Sequence, residues 1–165
     1  MKIQVHKCRS KGFKPAAWII MLFQSMNPFK SSSYNHFSIS YDNIDGQQVF
    51  ADSTFAHGLQ INQSLYEYIS RYTLIETMDL DLTSEPIFFR SWLGSYKDSK
   101  YDVAGIIGLA FKILHVFKRN PFGSNFKKMT CNELILLVLE SFKGVKVGDP
   151  DNYDLLMTAK LLERL

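Results

Sequence analysis

Two cysteines in 165 residues, Cys8 and Cys131, are too few for a disulfide framework. One bridge between them could form, yet reduced thiols in a cytoplasmic protein are the simpler expectation. The four histidines, His6, His36, His57 and His115, show no H-x-x-x-H spacing and stand near no C-x-x-C pair, so no zinc or other metal site is expected. Long apolar runs are missing as well. The two most apolar stretches, "WIIMLF" and "LILLVL", are far short of the ~20 residues that cross a bilayer, so no membrane span is expected. Lysines precede "AAWIIMLF" as they would in a signal peptide, but Pro15 stands ahead of the run and no small-residue cleavage site follows. A cytoplasmic location follows as the expectation.

Charge of one sign is also scarce. Nineteen Lys and Arg against sixteen Asp and Glu give a net charge of +3, with no arginine-rich arm or basic helical stripe, so nucleic acid is not an expected partner. There is no internal repeat, linker or low-complexity tract. With 46% hydrophobic and 21% charged residues the composition is that of a globular chain, and residues 1–165 read as one domain with a substantial core.

The chain changes character near Ser84. Before it, "KIQVHKC" alternates as a strand, and "HFSISY" and "QQVFADS" read as two antiparallel strands joined around "DNIDG". "GLQIN" and "YTLIETMDLDL" extend the same sheet. "KPAAWIIMLFQ" fits a strand or a short helix equally well, and the polar "NPFKSSSYN" after it reads as a loop. After Ser84 four helices are predicted. "SEPIFFRSWLG" has Ser84 as cap, Pro86 in the first turn and Gly94 as stop. "DVAGIIGLAFKILHVF", "CNELILLVLESF" and "NYDLLMTAKLLERL" follow. Strands first and helices after is an α+β plan, with helices packed against an antiparallel sheet.

The third of these helices carries the main chemical signal. In "KKMTCNELILLVLESF", Thr130 and Glu133 have the S/T-x-x-E spacing of a capping box, which makes Thr130 the N-cap and Cys131 the first helical residue. A thiol there feels unpaired backbone amides and the positive end of the helix dipole, both of which favour the thiolate and so make a nucleophile. Packing is the ordinary reason for a cysteine in such a place. A nucleophile needs a base.

His36 is the best candidate. In "YNHFSISY", Phe37, Ile39 and Tyr41 point to the core face, while His36, Ser38 and Ser40 form the other, polar face, read as accessible. His57 precedes a glycine and reads as a turn residue. His115 sits among apolar neighbours of a helix, and His6 has no feature in its favour. Asp52 on the next strand is the acid that would hold the imidazole in the right tautomer. Two registers are open. With Asp42 to Gly46 as the loop, His36 stands directly across from Asp52, with Cβ atoms ~5 Å apart. A two-residue turn at Asp45-Gly46 pairs Ser38 with Ser53 instead and sends Asp52 to the far face.

"YNHFSISYDN", "QQVFADSTFAHGLQI", "WLGSYKDSKYDVAGIIGLAF" and "MTCNELILLVLE" together resemble the permuted papain-like cysteine hydrolases. These are relatives of the NlpC-type peptidoglycan peptidases and of lecithin retinol acyltransferase-like proteins. The resemblance spans roughly residues 18 to 140. It implies a permuted papain-like fold in which the base precedes the nucleophile in the chain, with Cys131, His36 and Asp52 as catalytic residues. It implies a peptide, peptidoglycan or other acyl substrate and no cofactor. The chain departs from the family pattern at Asn35, where a serine is common, at Asn132, where serine is commoner, and in the spacing after Gly94. Either Tyr96 or Tyr101 therefore holds the family's tyrosine position. A bacterial or phage origin would fit. The rival reading is a non-catalytic binding protein or a virion-associated structural protein on the same scaffold, with Tyr34, Phe37, Tyr41, Phe50 and Phe55 lining the cleft.

Overall fold

The computed structural model describes residues 1–12, 33–113, 116–122, 128–150 and 153–165. "KPAAWIIMLFQ", most of "NPFKSSSYN" and His115 lie outside the described residues. The described elements are β1 (Lys2–Ser10), β2 (His36–Asp42), β3 (Gln48–Thr54), β4 (Gly58–Gln63), α1 (Leu65–Arg71), β5 (Tyr72–Asp81), α2 (Pro86–Ser95), α3 (Val103–Ile113), α4 (Cys131–Lys143) and α5 (Leu155–Leu162). The architecture is α+β: one five-stranded antiparallel sheet in the order β4-β3-β2-β1-β5, with five helices. Among the described residues no helix is long and apolar enough to cross a membrane.

Helix α4 explains its own greasiness. Leu134, Ile135, Val138 and Leu139 are fully buried against Ile3, Val5, Phe37 and Ile39 of the sheet, and α5 adds Leu155, Ala159 and Leu162 to the same core. The helix stops where Gly144 takes a left-handed conformation at φ 66°, which a glycine adopts without the penalty a Cβ would bring.

Three local expectations are corrected. First, the β2–β3 hairpin adopts neither of the two registers above. Ile39 faces Ala51 and Asp42 faces Gln48, so the loop is the five residues 43–47. The Asn43 side chain decides this: its Oδ1 accepts the amides of Asp45 and Gln47, both at 2.9 Å, and wraps the chain around itself. Second, Ser84 is not the cap of α2. Its hydroxyl donates to the Glu85 carbonyl, Glu85 occupies the N-cap position without a side-chain cap bond, and Pro86 at N1 sets the first turn. Gly94 lies inside that helix rather than ending it.

Third, the face of β2 that carries His36, Ser38 and Ser40 is not accessible. Helix α1, which strand-like neighbours hide in the sequence, covers it. Ser64 and Glu67 form a full capping box, and the helix runs straight into β5. Its Tyr68 is completely buried, stacks on Phe50 at 4.3 Å, and places its hydroxyl 2.5 Å from Ser38 Oγ and 2.7 Å from Cys8 Sγ. With Cys8 and Tyr72 these rings make a second, smaller core on the opposite face of the sheet from α4. The β2 strand is therefore buried on both sides.

Candidate active site

Cys131 sits where the capping signal placed it. Thr130 is the N-cap: its Oγ1 accepts from Glu133 N at 3.3 Å, and the Glu133 carboxylate accepts from Thr130 N at 2.5 Å. At N1 the Cys131 amide has no intrahelical acceptor, so it points out of the helix start along with its neighbours. The segment leading into the helix is pinned from two directions. Ser53 Oγ of β3 donates to the Met129 carbonyl at 2.5 Å, and Met129 N donates to the Lys100 carbonyl at 2.7 Å beside a parallel bridge between Lys100 and Lys128. The strap around Lys100 is itself held by β4, because Leu59 N donates to Ser99 O at 2.9 Å. Gly58 is required there: its φ is +67°, and a Cβ would collide with the Ser99 carbonyl oxygen.

His36 opens β2 with its ring flat against Tyr72, centroids 4.6 Å apart and planes 6° from parallel. Its Nε2 lies 3.0 Å from Asp52 Oδ2. Asp52 is completely buried, and its other oxygen accepts from Gln63 Nε2. Cys131 reaches the same imidazole, acting on it both as a charge and as a hydrogen-bond partner. With Nε2 taken by Asp52, Nδ1 is the nitrogen left for the sulfur.

The electrostatics follow from this packing. Burial disfavours a charged His36, but the negative charge of Cys131 and the hydrogen bond to Asp52 outweigh it and raise the imidazole to about 9. Burial likewise works against ionised Asp52, yet the bond and charge of His36, with the Gln63 amide, hold the carboxyl below its ordinary value. Cys8, across the β1–β2 ladder from His36, has no such help, and burial pushes its thiol up to about 11. His6 is buried too and is pushed down to about 4. His57 stays exposed in the 55–57 turn with its amide on Thr54 Oγ1.

The structure thus brings Cys131, His36 and Asp52 together and keeps His6 and His57 apart from them. It also distinguishes the two tyrosines. Tyr96 packs on Trp92, ring centroids 5.1 Å apart. Tyr101 follows the Lys100 strap, packs edge-on against Phe55, and has its phenol held protonated by burial and by the charge of Cys131. Tyr72 and Gln63 are the site neighbours that sequence patterns do not single out, and Tyr101 is one of the two tyrosines they leave open. Spacing alone could not separate Tyr101 from Tyr96, and Gln63 shows no pattern at all. Of the cleft aromatics, Tyr34, Phe37, Tyr41 and Phe50 are buried in the two cores, and only Phe55 is exposed.

A small, half-open pocket lies beside the helix start, lined by Gly105, Ile106, Leu109, Asn120, Asn132 and Glu133 among others. Neither Cys131 nor His36 lines it. The Asn132 side chain beside it accepts from Thr130 Oγ1 and donates to the Tyr153 carbonyl, tying the chain ahead of α5 to the helix start. Comparison with family models, curated proteins and solved structures finds no match to this chain.

Proposed function

We propose that the protein is a cysteine hydrolase acting on an acyl group, with Cys131 as nucleophile, His36 as base and acid, and Asp52 as the residue that orients His36. The single observation that carries this reading is one imidazole held between a buried carboxylate at 3.0 Å and a thiol at the first position of a capped helix. The Cys131 sulfur attacks the carbonyl carbon, and the carbonyl π electrons move to oxygen. The Cys131 amide and the positive helix end face the oxyanion. The His36 imidazolium gives its proton to the leaving amine or alcohol as that bond breaks, leaving a thioester. Water attacks the thioester with His36 taking a proton, and Cys131 departs as thiolate. Every proton is accounted for within the dyad, and the scheme needs no cofactor.

The likeness to permuted papain-like enzymes favours amide substrates, cell-wall peptides among them, with esters and thioesters as close chemical neighbours. One observation favours the second reading, a binding protein on a hydrolase-like scaffold: Cys131 is 2% and His36 6% exposed. Trapping separates the two. A chloromethyl ketone or activated ester should add one acyl or alkyl group at Cys131, found by peptide mass spectrometry, in wild type but not in His36→Ala. Equal labelling of both proteins would leave the binding reading standing.

A further inference from the structure

Helix α3 presents Val103, Ile107 and Phe111 to solvent, one residue per turn along a single stripe, with Ile107 48% exposed. The stripe does not end with the helix. Phe117 packs edge-on against Phe111, ring centroids 6.0 Å apart, and the Val116 amide donates to the Phe111 carbonyl at 2.9 Å. Phe122 returns to the middle of the helix: a Cβ added at Gly108 would lie 2.9 Å from its ring, and would collide with Asn120. Val103, Ile107, Phe111, Val116, Phe117 and Phe122 are all exposed, and these contacts draw them into a continuous apolar surface.

The charge along this stretch of the chain is one-sided. Between residues 99 and 130 the sequence carries six Lys or Arg and a single acid, Asp102. Asp102 is buried, its carboxylate accepting the Gly105 amide at 3.1 Å, so it adds nothing to the outer face. Lys118 and Arg119 lie between Phe117 and Phe122 in the chain and are exposed, as are Lys100 and Lys128 on the strap before the catalytic helix. An apolar face with exposed Lys118 and Arg119 next to Phe117 in the chain matches a layer that is hydrocarbon inside and anionic at its surface. Nucleic acid would use the cations and leave the aliphatic stripe in water. A second copy of this chain would set the cations against one another.

We propose that the outer face of α3 with residues 116–122 docks on an anionic lipid bilayer, inserting Ile107, Phe111 and Phe117 among the acyl chains while Lys118 and Arg119 pair with headgroup phosphates. The opposite face of α3, through Gly105, Ile106 and Leu109, lines the pocket at the start of α4. Docking therefore holds that pocket within about one helix diameter of the bilayer surface. The proposal does not rest on the thiol chemistry, because its readout is binding alone.

Flotation of the full chain with phosphatidylcholine vesicles, with and without about 30% phosphatidylglycerol, tests it. Binding is expected with the anionic vesicles and not with pure phosphatidylcholine, and raising the salt should weaken it. Ile107→Asp with Phe111→Asp, and separately Lys118→Glu with Arg119→Glu, should each reduce binding by at least about tenfold while circular dichroism stays that of wild type. The second pair changes only exposed charges, so it remains informative if the first disturbs the helix. No flotation with anionic vesicles, or flotation undiminished in the charge-reversed protein, overturns the proposal. So does a dimer in light scattering that Ile107→Asp dissociates, or binding of a single-stranded RNA by a chain that ignores both vesicles.

Discussion

His36 and Asp52 are diagonal neighbours on β2 and β3, and their side chains close the offset with a 3.0 Å bond. Continued one step past the Ile39–Ala51 pair, this register sets Ser38 across from Asp52, two positions along from His36, so both members of the pair stay on one face of the sheet while their Cβ atoms stand farther apart than in a direct pair. A long imidazole and a carboxylate span that gap, and Gln63 fixes the carboxylate from behind.

Replacing the acid without changing its shape tests what the bond does. Asp52→Asn keeps a polar group beside Nε2 but removes the charge that helps to raise His36. The imidazole, observed by NMR titration, should fall from about 9 toward its ordinary 6.5. Turnover of a trapped substrate should drop on the order of 10³–10⁴-fold. An unchanged His36 titration would mean that Asp52 is a packing residue.

Cys131→Ala should abolish thioester formation and cost about 1 kcal/mol of stability, since one sulfur leaves a core that α4 otherwise fills. The same substitution removes the negative partner that contributes most to the raised His36 value, so the imidazole should titrate lower in this variant too. Urea unfolding and NMR read the two effects separately. Collapse of the fold would instead mark the thiol as a structural element of the core.

Stability should depend on pH through His36 with a definite sign. Its folded value is raised to about 9 from 6.5, so the folded state holds a proton the unfolded chain gives up. That contribution is complete below about 6.5 and fades as the pH rises through about 9. Asp52 works on the acid side, where its depressed value contributes above about 3.8 and is lost as the carboxyl protonates. Urea midpoints of wild type and His36→Gln should therefore converge between pH 6.5 and 9. Curves that stay parallel across that window would contradict the shift.

Alkylation distinguishes the two thiols. Iodoacetamide at neutral pH should modify Cys131 well before Cys8, whose thiol is pushed up to about 11 and locked under Tyr68. Peptide mapping of a time course reads both sites at once. Thr130→Ala should loosen the α4 start by about 1 kcal/mol and slow modification of Cys131, because the same first turn presents the sulfur. Cys8 reacting first would overturn the ordering.

The helix start at Cys131 was legible because capping is local chemistry: two side chains three residues apart satisfy each other's amides whatever surrounds them. The same chemistry is present at Ser64 and Glu67 in "SLYE", but the strand-like "GLQIN" and "YTLIETM" on either side mask the short α1 between them. Without α1 the His36 face reads as open, whereas Tyr68 closes it. The hairpin register depended on the Asn43 side chain, which bonds to two amides that no alternation of apolar and polar residues encodes. Tyr101 and Tyr96 could be told apart only by the strap that pairs Lys100 with Lys128, a contact between distant parts of the chain.

That strap also imposes a timetable. During synthesis the strands that carry His36 and Asp52 leave the ribosome long before the sulfur that faces them, and contacts between such distant positions close late. The Ser53–Met129 and Lys100–Met129 bonds then fix the start of α4 against β3 and the strap. On the proposed mechanism, His36 and Asp52 are therefore synthesised well before Cys131, and the thiol meets its base only when α4 packs on the sheet.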